Sequence, residues 1–172
     1  MRGVLAFLLG VTGCADTAAD LEAEPIAVLD PLALLPMEAE RDPLAHHRPA
    51  VVDCPRAAWG PEGGGFEIQT GACNYAAFDQ PLPVRVEAGD AFEILIWHDL
   101  LDAAEPATAH LGVWIGSQEL WGTAVDIPAP SGTFEVVVPV DTTPPPDARL
   151  SLHLHNHGFN SWRFVAINLY PR

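Results

Sequence analysis

Short runs of alternating apolar and polar residues fill the chain from residue 50 onwards. There are eight such runs, rich in aromatic and β-branched residues: GFEIQT, LPVRVEA, AFEILIWH, AHLGVWIG, QELWGTAVDI, TFEVVVPV, ARLSLHLHNH and SWRFVAINLY. Turn-forming stretches such as EAGDA, PAPSG, DTTPPPD and HGFN separate them. Short strands with no helical periodicity predict an all-β fold, and we expect a single β-sandwich over residues 50–172.

The order of the runs is similar to that of a known group of sandwich domains. FDQPLPVRVEAGDAFEILIWH resembles the early strands of galactose-binding-like jelly rolls, the architecture of many carbohydrate-binding modules. ARLSLHLHNHGFNSWRFVAINLY resembles their last hairpin. The resemblance covers residues 63–172 and implies a jelly roll of about eight antiparallel strands. With the runs labelled B to I in chain order, its two sheets would have the strand orders B-I-D-G and C-H-E-F.

Alternation along each strand predicts which side chains face away from the core. In ARLSLHLHNH the leucines are expected to point inward, so the histidines point outward. The same argument turns the apolar residues of strands C and E inward. The outward set on this sheet is Arg85, His110, Trp114, His153, His155 and His157.

Histidines at one end of the sandwich predict a transition-metal site. The end of strand H lies beside the start of strand E, below the loop DLLDAAEPATA. Residues two apart on a strand are about 6.6 Å apart, which allows two imidazoles to bind one Zn²⁺ or Cu²⁺. We expect His155 and His157 to form this pair, with His110 as third ligand and Glu105 above them. The full set of candidate metal ligands is His98, His110, His153, His155 and His157.

Aromatic and polar groups on the same face predict glycan binding as an alternative. Sugar rings stack on exposed aromatic side chains and form hydrogen bonds with polar neighbours. The candidate ligand-binding residues are Arg85, Glu105, Trp114 and Asn160. The serines lack the context of a nucleophile and its base, so a non-catalytic function is favoured. A scaffold whose histidine-rich face binds another envelope protein is a further alternative.

The first residues predict export and lipid anchoring. MRGVLAFLLGVTGC has one arginine, a short apolar run and then small residues, which is the order of an export signal. VTGC resembles the lipobox of bacterial lipoproteins, in which the cysteine becomes the lipidated N-terminus. The resemblance implies a signal peptide over residues 1–13, lipid attachment at Cys14, and a protein anchored in the cell envelope, at the outer membrane or cell surface.

Residues 14–49 differ in composition from the domain that follows. They are rich in alanine, proline and acidic residues, which predicts a flexible tether, although PIAVLDPLALLPM is apolar enough to dock locally. His46 and His47 lie in this segment and are expected to be remote from any site.

Charge and cysteine content narrow the partners and the compartment. The net charge is −15, and all eight basic residues are arginines, so nucleic acid is excluded as a partner by repulsion of its phosphates. In an exported protein, Cys54 and Cys73 are expected to form a disulfide. The remaining partners are a membrane, through the lipid anchor, and a small ligand, metal ion or glycan.

Overall fold

The protein folds as two antiparallel β-sheets packed face to face, which confirms the predicted all-β sandwich. The computed structural model describes residues 23–155 and 158–172. Short 3₁₀ turns occur at Ala39–Arg41, Ala45–His47 and Arg56–Ala58. The strands in the described ranges are β1 (Ile26–Ala27), β2 (Leu35–Pro36), β3 (Trp59–Glu62), β4 (Gly65–Gln69), β5 (Tyr75–Pro81), β6 (Ala91–His98), β7 (Ala107–Ile115), β8 (Gln118–Ile127), β9 (Gly132–Pro139), β10 (Arg149–His155) and β11 (Ser161–Tyr170).

The strand order agrees with the jelly-roll expectation. One sheet has the order β3-β4-β11-β6-β9, with β1 also paired to β11, and the other has the order β2-β5-β10-β7-β8. The predicted sets B-I-D-G and C-H-E-F therefore correspond to β4-β11-β6-β9 and β5-β10-β7-β8. Loops β4–β5, β6–β7, β8–β9 and β10–β11 consequently meet at one end of the sandwich, as expected for the loop DLLDAAEPATA and the turn HGFN.

Strand C differs from its predicted position. The strand is Tyr75–Pro81, whereas residues 82–88, which contain the alternating run LPVRVEA, form a loop. The backbone N–H of Glu87 donates to the side chain of Asp90 at 2.8 Å, which turns the chain toward β6. Val86 is buried in the core while Arg85 is exposed, so alternating exposure arises here without a strand ladder.

The core fills the space between the two sheets. Leu150, Leu152 and Leu154 of β10 all belong to it, which confirms the predicted register of that strand. Aromatic rings from both layers meet there, with Phe66 and Phe78 at a centroid distance of 4.9 Å. Burial of such side chains is the main favourable term in folding.

Residues 23–49 do not form the flexible tether that their composition predicts. Ile26 pairs with Leu169, and Leu35 pairs with Asp79, so the segment adds a short strand to each sheet. Val28 is fully buried in the main core. The apolar stretch PIAVLDPLALLPM explains the difference, because its buried side chains offset the entropy of ordering a proline-rich chain.

A disulfide links Cys54 to Cys73, as predicted. It joins the chain before β3 to the β4–β5 loop. No helix in the described ranges is long and apolar enough to cross a membrane. Cys14, the predicted lipidation site, and His157 lie outside the described residues.

Candidate functional site

The outer face of the β5-β10-β7-β8 sheet carries the predicted histidines but is not open to solvent. His110, His153 and His155 lie on adjacent strands, with His155 paired to His110 across the ladder. Residues 37–48, which we call the cover segment, pack over this face, and we call the face beneath them the covered face. His153 is only 2% exposed. The predicted register is thus correct, whereas the predicted exposure is wrong because a remote segment covers the strand.

Asp42 is the main polar attachment of the cover segment. The Tyr75 hydroxyl on β5 donates a hydrogen bond to its carboxylate, and Arg48 lies 3.3 Å from the same oxygen. Burial, and then the bond to Asp42, raise the pKa of Tyr75 above its usual value. A second attachment joins Arg41 to the buried Asp79 of β5 at 2.9 Å.

His47, which the sequence places in a remote tether, lies among the sheet histidines. Its ring centroid is 5.1 Å from that of His110, 5.9 Å from that of His153 and 6.2 Å from that of His155. Burial, followed by the neighbouring His46 and His110, lowers the pKa of His47. The signal for this placement was the apolar stretch before it, whose docking carries His47 onto the sheet.

His153 lies at the bottom of this cluster without a hydrogen-bond partner on either ring nitrogen. The rings of Tyr75 and Trp114 flank it at centroid distances of 5.1 Å and 6.1 Å. Desolvation by burial lowers the pKa of His153 to about 3; the nearby imidazoles add to this effect and Asp42 opposes it. The side chain is therefore a neutral imidazole at physiological pH.

The predicted metal centre receives no support from the geometry. Within residues 23–155 and 158–172, no three His, Cys, Asp or Glu side chains are arranged to hold a metal ion. His98 lies in the other sheet, where Nδ1 donates to the Asp99 carbonyl at 2.9 Å and the ring packs on Trp162. His98 was grouped with the other candidate metal ligands because all of them lie near one end of the sandwich. That position alone does not tell which of the two sheets a residue belongs to.

Three of the predicted ligand-binding residues have other positions or roles. Trp114 is 4% exposed and lies flat on the sheet, where a Cβ on Gly112 would overlap its ring. Arg85 lies in the β5–β6 loop at the opposite end and pairs with Glu87 at 3.2 Å. Asn160 is buried, and its Oδ1 accepts from the backbone N–H of Asp102 at 2.7 Å.

The fourth residue, Glu105, lies in an open cleft at the end of the sandwich, which we call the loop-end cleft. The cleft has a volume of about 590 Å³ and lies between the β4–β5, β6–β7 and β10–β11 loops. Its lining residues are Thr70, Gly71, Ala103, Ala104, Glu105, Pro106, Ala107, Gly158 and Phe159. Phe159 is 79% exposed, so the cleft presents an aromatic ring beside a carboxylate. We did not predict this ring; the only sequence signal was its place in the turn HGFN.

Backbone contacts hold in place the turn that carries Phe159. Its N–H donates to the Asp102 carbonyl at 3.2 Å. Gly158 passes so close to the same carbonyl that a Cβ would overlap it. The Thr70 N–H donates to the Asn160 carbonyl at 2.8 Å, which ties the β4–β5 loop to the same turn. The three loops therefore form a connected rim, although each lies outside the strands.

Comparisons with known proteins agree on the architecture. No family model matches the chain, and no curated protein sequence is significantly similar. The K3 cleaved adhesin domain of Lys-gingipain from Porphyromonas gingivalis matches 82% of this chain and 93% of its own, with a TM-score of 0.50 and 8% identity. At this identity the likeness shows the β-sandwich fold alone.

Weaker structural likenesses include carbohydrate-binding modules. A family 16 carbohydrate-binding module covers 66% of this chain and 86% of its own, at a TM-score of 0.43 and 12% identity. TmCBM61, solved in complex with β-1,4-galactotriose, covers 71% and 88%, at a TM-score of 0.41 and 11% identity.

Proposed function

We propose that this domain is a non-catalytic glycan-binding module that uses the loop-end cleft. The observation that carries the proposal is an exposed aromatic ring, that of Phe159, on a turn held by backbone bonds, beside Glu105 in a cleft of about 590 Å³. That volume lies within the range typical of small-ligand sites. The sandwich fold supports the proposal only as a suitable framework, because one fold serves many functions.

The two side chains supply complementary interactions with a sugar. The face of the Phe159 ring can stack on the C–H face of a pyranose, and the Glu105 carboxylate accepts hydrogen bonds from hydroxyl groups. The cleft is short, which favours the end of a glycan or a short oligosaccharide. A chain with a net charge of −15 repels anionic ligands, so we propose neutral glycans.

A binding role fits this cleft better than glycoside hydrolysis. Most glycosidases use a pair of carboxyl groups on either side of the scissile bond. Among the residues that line the cleft, Glu105 is the single carboxylate. We therefore assign Glu105 to recognition of hydroxyl groups.

We also propose that the domain functions outside the cytoplasm and is held at a membrane by a lipid attached to Cys14. The disulfide between Cys54 and Cys73 supports export, because such bonds persist in oxidising compartments. Fractionation of cells that produce Cys14→Ser tests the anchor: the variant should leave the membrane fraction, and full retention there would contradict lipidation.

The glycan-binding proposal is tested by affinity electrophoresis in gels containing galactan, xylan, mannan or β-glucan. Phe159→Ala should weaken retardation by roughly fivefold, since loss of aromatic stacking removes on the order of 1 kcal/mol. The matched control is Leu32→Ala, which truncates an apolar side chain of similar exposure, 83%, outside the cleft. Retardation that is equal in both variants, or absent in the wild type with every polysaccharide, would overturn the proposal.

A second pair of variants distinguishes a specific role of the Glu105 carboxylate in the cleft from a general effect of removing one negative charge. Glu105→Gln keeps one acceptor oxygen, so we expect a smaller loss than for Phe159→Ala. Glu135→Gln, on the exposed side of β9, removes the same charge away from the cleft and should leave retardation unchanged.

A further inference from the structure

We infer that the cover segment, residues 37–48, is a lid that opens from the covered face while the sandwich stays folded. Four features of its packing carry this inference: its separation from the main core, its fixed ends, its few bonds to the sheet, and the unpaired imidazole nitrogens beneath it. The inference does not depend on glycan binding at the loop-end cleft.

The cover segment packs outside the main core. Met37 forms a small separate cluster with Tyr75 and Ala77, distinct from the cluster that fills the space between the sheets. The strands beneath it are already paired, since β10 is bonded to β5 on one side and to β7 on the other. Opening therefore removes a small apolar contact and the polar attachments of Asp42 and Arg41, and leaves the core intact, which is the condition for a local rather than a global unfolding event.

Both ends of the cover segment are fixed to the sandwich. On the N-terminal side, Val28 and Leu34 are buried in the main core. On the C-terminal side, Cys54 is covalently joined to Cys73 in the β4–β5 loop. The segment can therefore move away from the sheet as a loop and return to the same position.

Few backbone bonds hold the cover segment to the sheet. Strand β2, immediately before the segment, contributes two residue pairs to the ladder with β5. The Met37 N–H then donates to the Ala77 carbonyl at 2.8 Å. Beyond Met37, the backbone bonds that are formed lie within the segment, in its own turns, such as His47 N–H to the Leu44 carbonyl at 2.8 Å.

The closed position leaves polar atoms without partners. Both ring nitrogens of His153 and Nδ1 of His47 are buried and form no hydrogen bond. A buried polar group that has lost water without gaining a partner is unfavourable. Opening returns these nitrogens to water, so the closed state is less stable than its apolar contacts and its polar bonds to Tyr75 and Asp79 would make it on their own.

Opening would uncover a surface that is different in kind from the loop-end cleft. The imidazole of His153 and the ring of Tyr75 would become accessible on the face of the sheet, next to Trp114. The lid thus gives the domain a second surface, which is exposed only in the open state.

Two measurements on the folded, disulfide-bonded protein test the lid. Hydrogen exchange at the Met37 amide reports the bond to β5, and diethyl pyrocarbonate modification, mapped by mass spectrometry, reports exposure of His153. His98 is the internal control, because it is equally buried but packs on Trp162 in the other sheet. We expect Met37 to exchange at least tenfold faster than the central amides of β10, and His153 to be modified at least tenfold faster than His98.

Two variants should shift the equilibrium between the closed and the open lid in opposite directions. Asp42→Asn weakens the attachment to Tyr75 and Arg48 and should accelerate modification of His153 at least threefold, whereas Asp141→Asn in the β9–β10 loop should not. His153→Leu removes the unpaired nitrogens and should slow exchange at Met37 at least threefold. If Met37 and His153 become accessible only at the rate of global unfolding measured in urea, the cover segment is not a lid.

Discussion

The loop-end cleft and the covered face both combine aromatic and polar side chains, but they differ in what surrounds them. In the cleft, the Phe159 ring projects into solvent from a turn that backbone contacts between loops hold in place. On the covered face, Trp114 and His153 sit on regular strands and are buried, with His47 of the cover segment next to His153. Alternation along a strand identifies the face on which a side chain lies. Exposure of that face depends on the rest of the chain.

The largest expected difference between the two regions is in the stability cost of losing an aromatic ring. Trp114→Ala should reduce the free energy of unfolding by about 3–5 kcal/mol, because it leaves a cavity where a buried ring packs against His153. Phe159→Ala should change it by less than about 0.5 kcal/mol, because that ring is mostly solvated. Urea denaturation of both variants makes the comparison, and similar midpoints would contradict the contrast between buried and exposed rings.

The disulfide links the two regions, and its loss should have the next largest effect. Cys54 follows the cover segment in the sequence and anchors its C-terminal side. Cys73 lies in the β4–β5 loop, which borders the cleft. The Cys54→Ser/Cys73→Ser double variant should lose roughly 3 kcal/mol of unfolding free energy on the chain-entropy model. Urea denaturation measures the loss. Lid exchange at Met37 should also accelerate, and an unchanged rate would show that the bond does not hold the cover segment.

Much of the fold follows from patterns that act over a few residues. The leucine register of β10 and the order of strands β4, β6, β7, β8, β9, β10 and β11 agree with the sequence analysis, because each of these strands alternates and ends in a turn. The predicted position of strand β5 was wrong, because Tyr75–Pro81 is buried on both faces and shows no alternation. A strand covered on both sides loses the signal by which a half-exposed strand is recognised.

Burial by distant parts of the chain, which leaves no local pattern in the sequence, also explains the errors at the candidate sites. The cover segment is held by Asp42, Met37 and Arg41, none of which stands out by composition in an acidic, proline-rich stretch. Its packing depends on partners more than 30 residues away, such as the Tyr75–Asp42 bond with a separation of 33 residues. Glu105 was placed at the correct end of the sandwich because loop connectivity alone decides that position.

Acid should weaken the covered face and leave the cleft unaffected. The pKa of His153 is lowered to about 3 and that of His47 lies below 6.5, so the closed state favours neutral imidazoles. Above about pH 6.5 the imidazoles are neutral in both the folded and the unfolded state, and stability is greatest. As the pH falls from 6.5 toward 3, the unfolded state binds protons that the closed state does not, and stability is lost. For His153 the loss approaches about 1.4 kcal/mol per pH unit below 6.5.

Urea denaturation at pH 7.5 and pH 5.5 measures this dependence. The charge of Asp42 raises the pKa of His153, so it opposes burial and reduces the effect. His153→Leu should remove most of the pH dependence. An equal dependence in the wild type and the variant would assign it to other groups.

The smallest expected effect concerns the ring position in the cleft. A Cβ on Gly71 would lie 3.1 Å from Cδ1 of Phe159, so Gly71→Ala should displace the ring by a few tenths of an ångström. Unfolding free energy should change by less than about 0.5 kcal/mol, while glycan retardation weakens roughly twofold, because stacking depends on ring placement. Gly158→Ala provides the contrast, since its Cβ would overlap the Asp102 carbonyl and the turn itself must shift. Affinity electrophoresis and urea denaturation of the two variants distinguish the outcomes. If Gly71→Ala abolishes retardation, the ligand contacts Gly71 directly; if it changes nothing, the ring is not the binding platform.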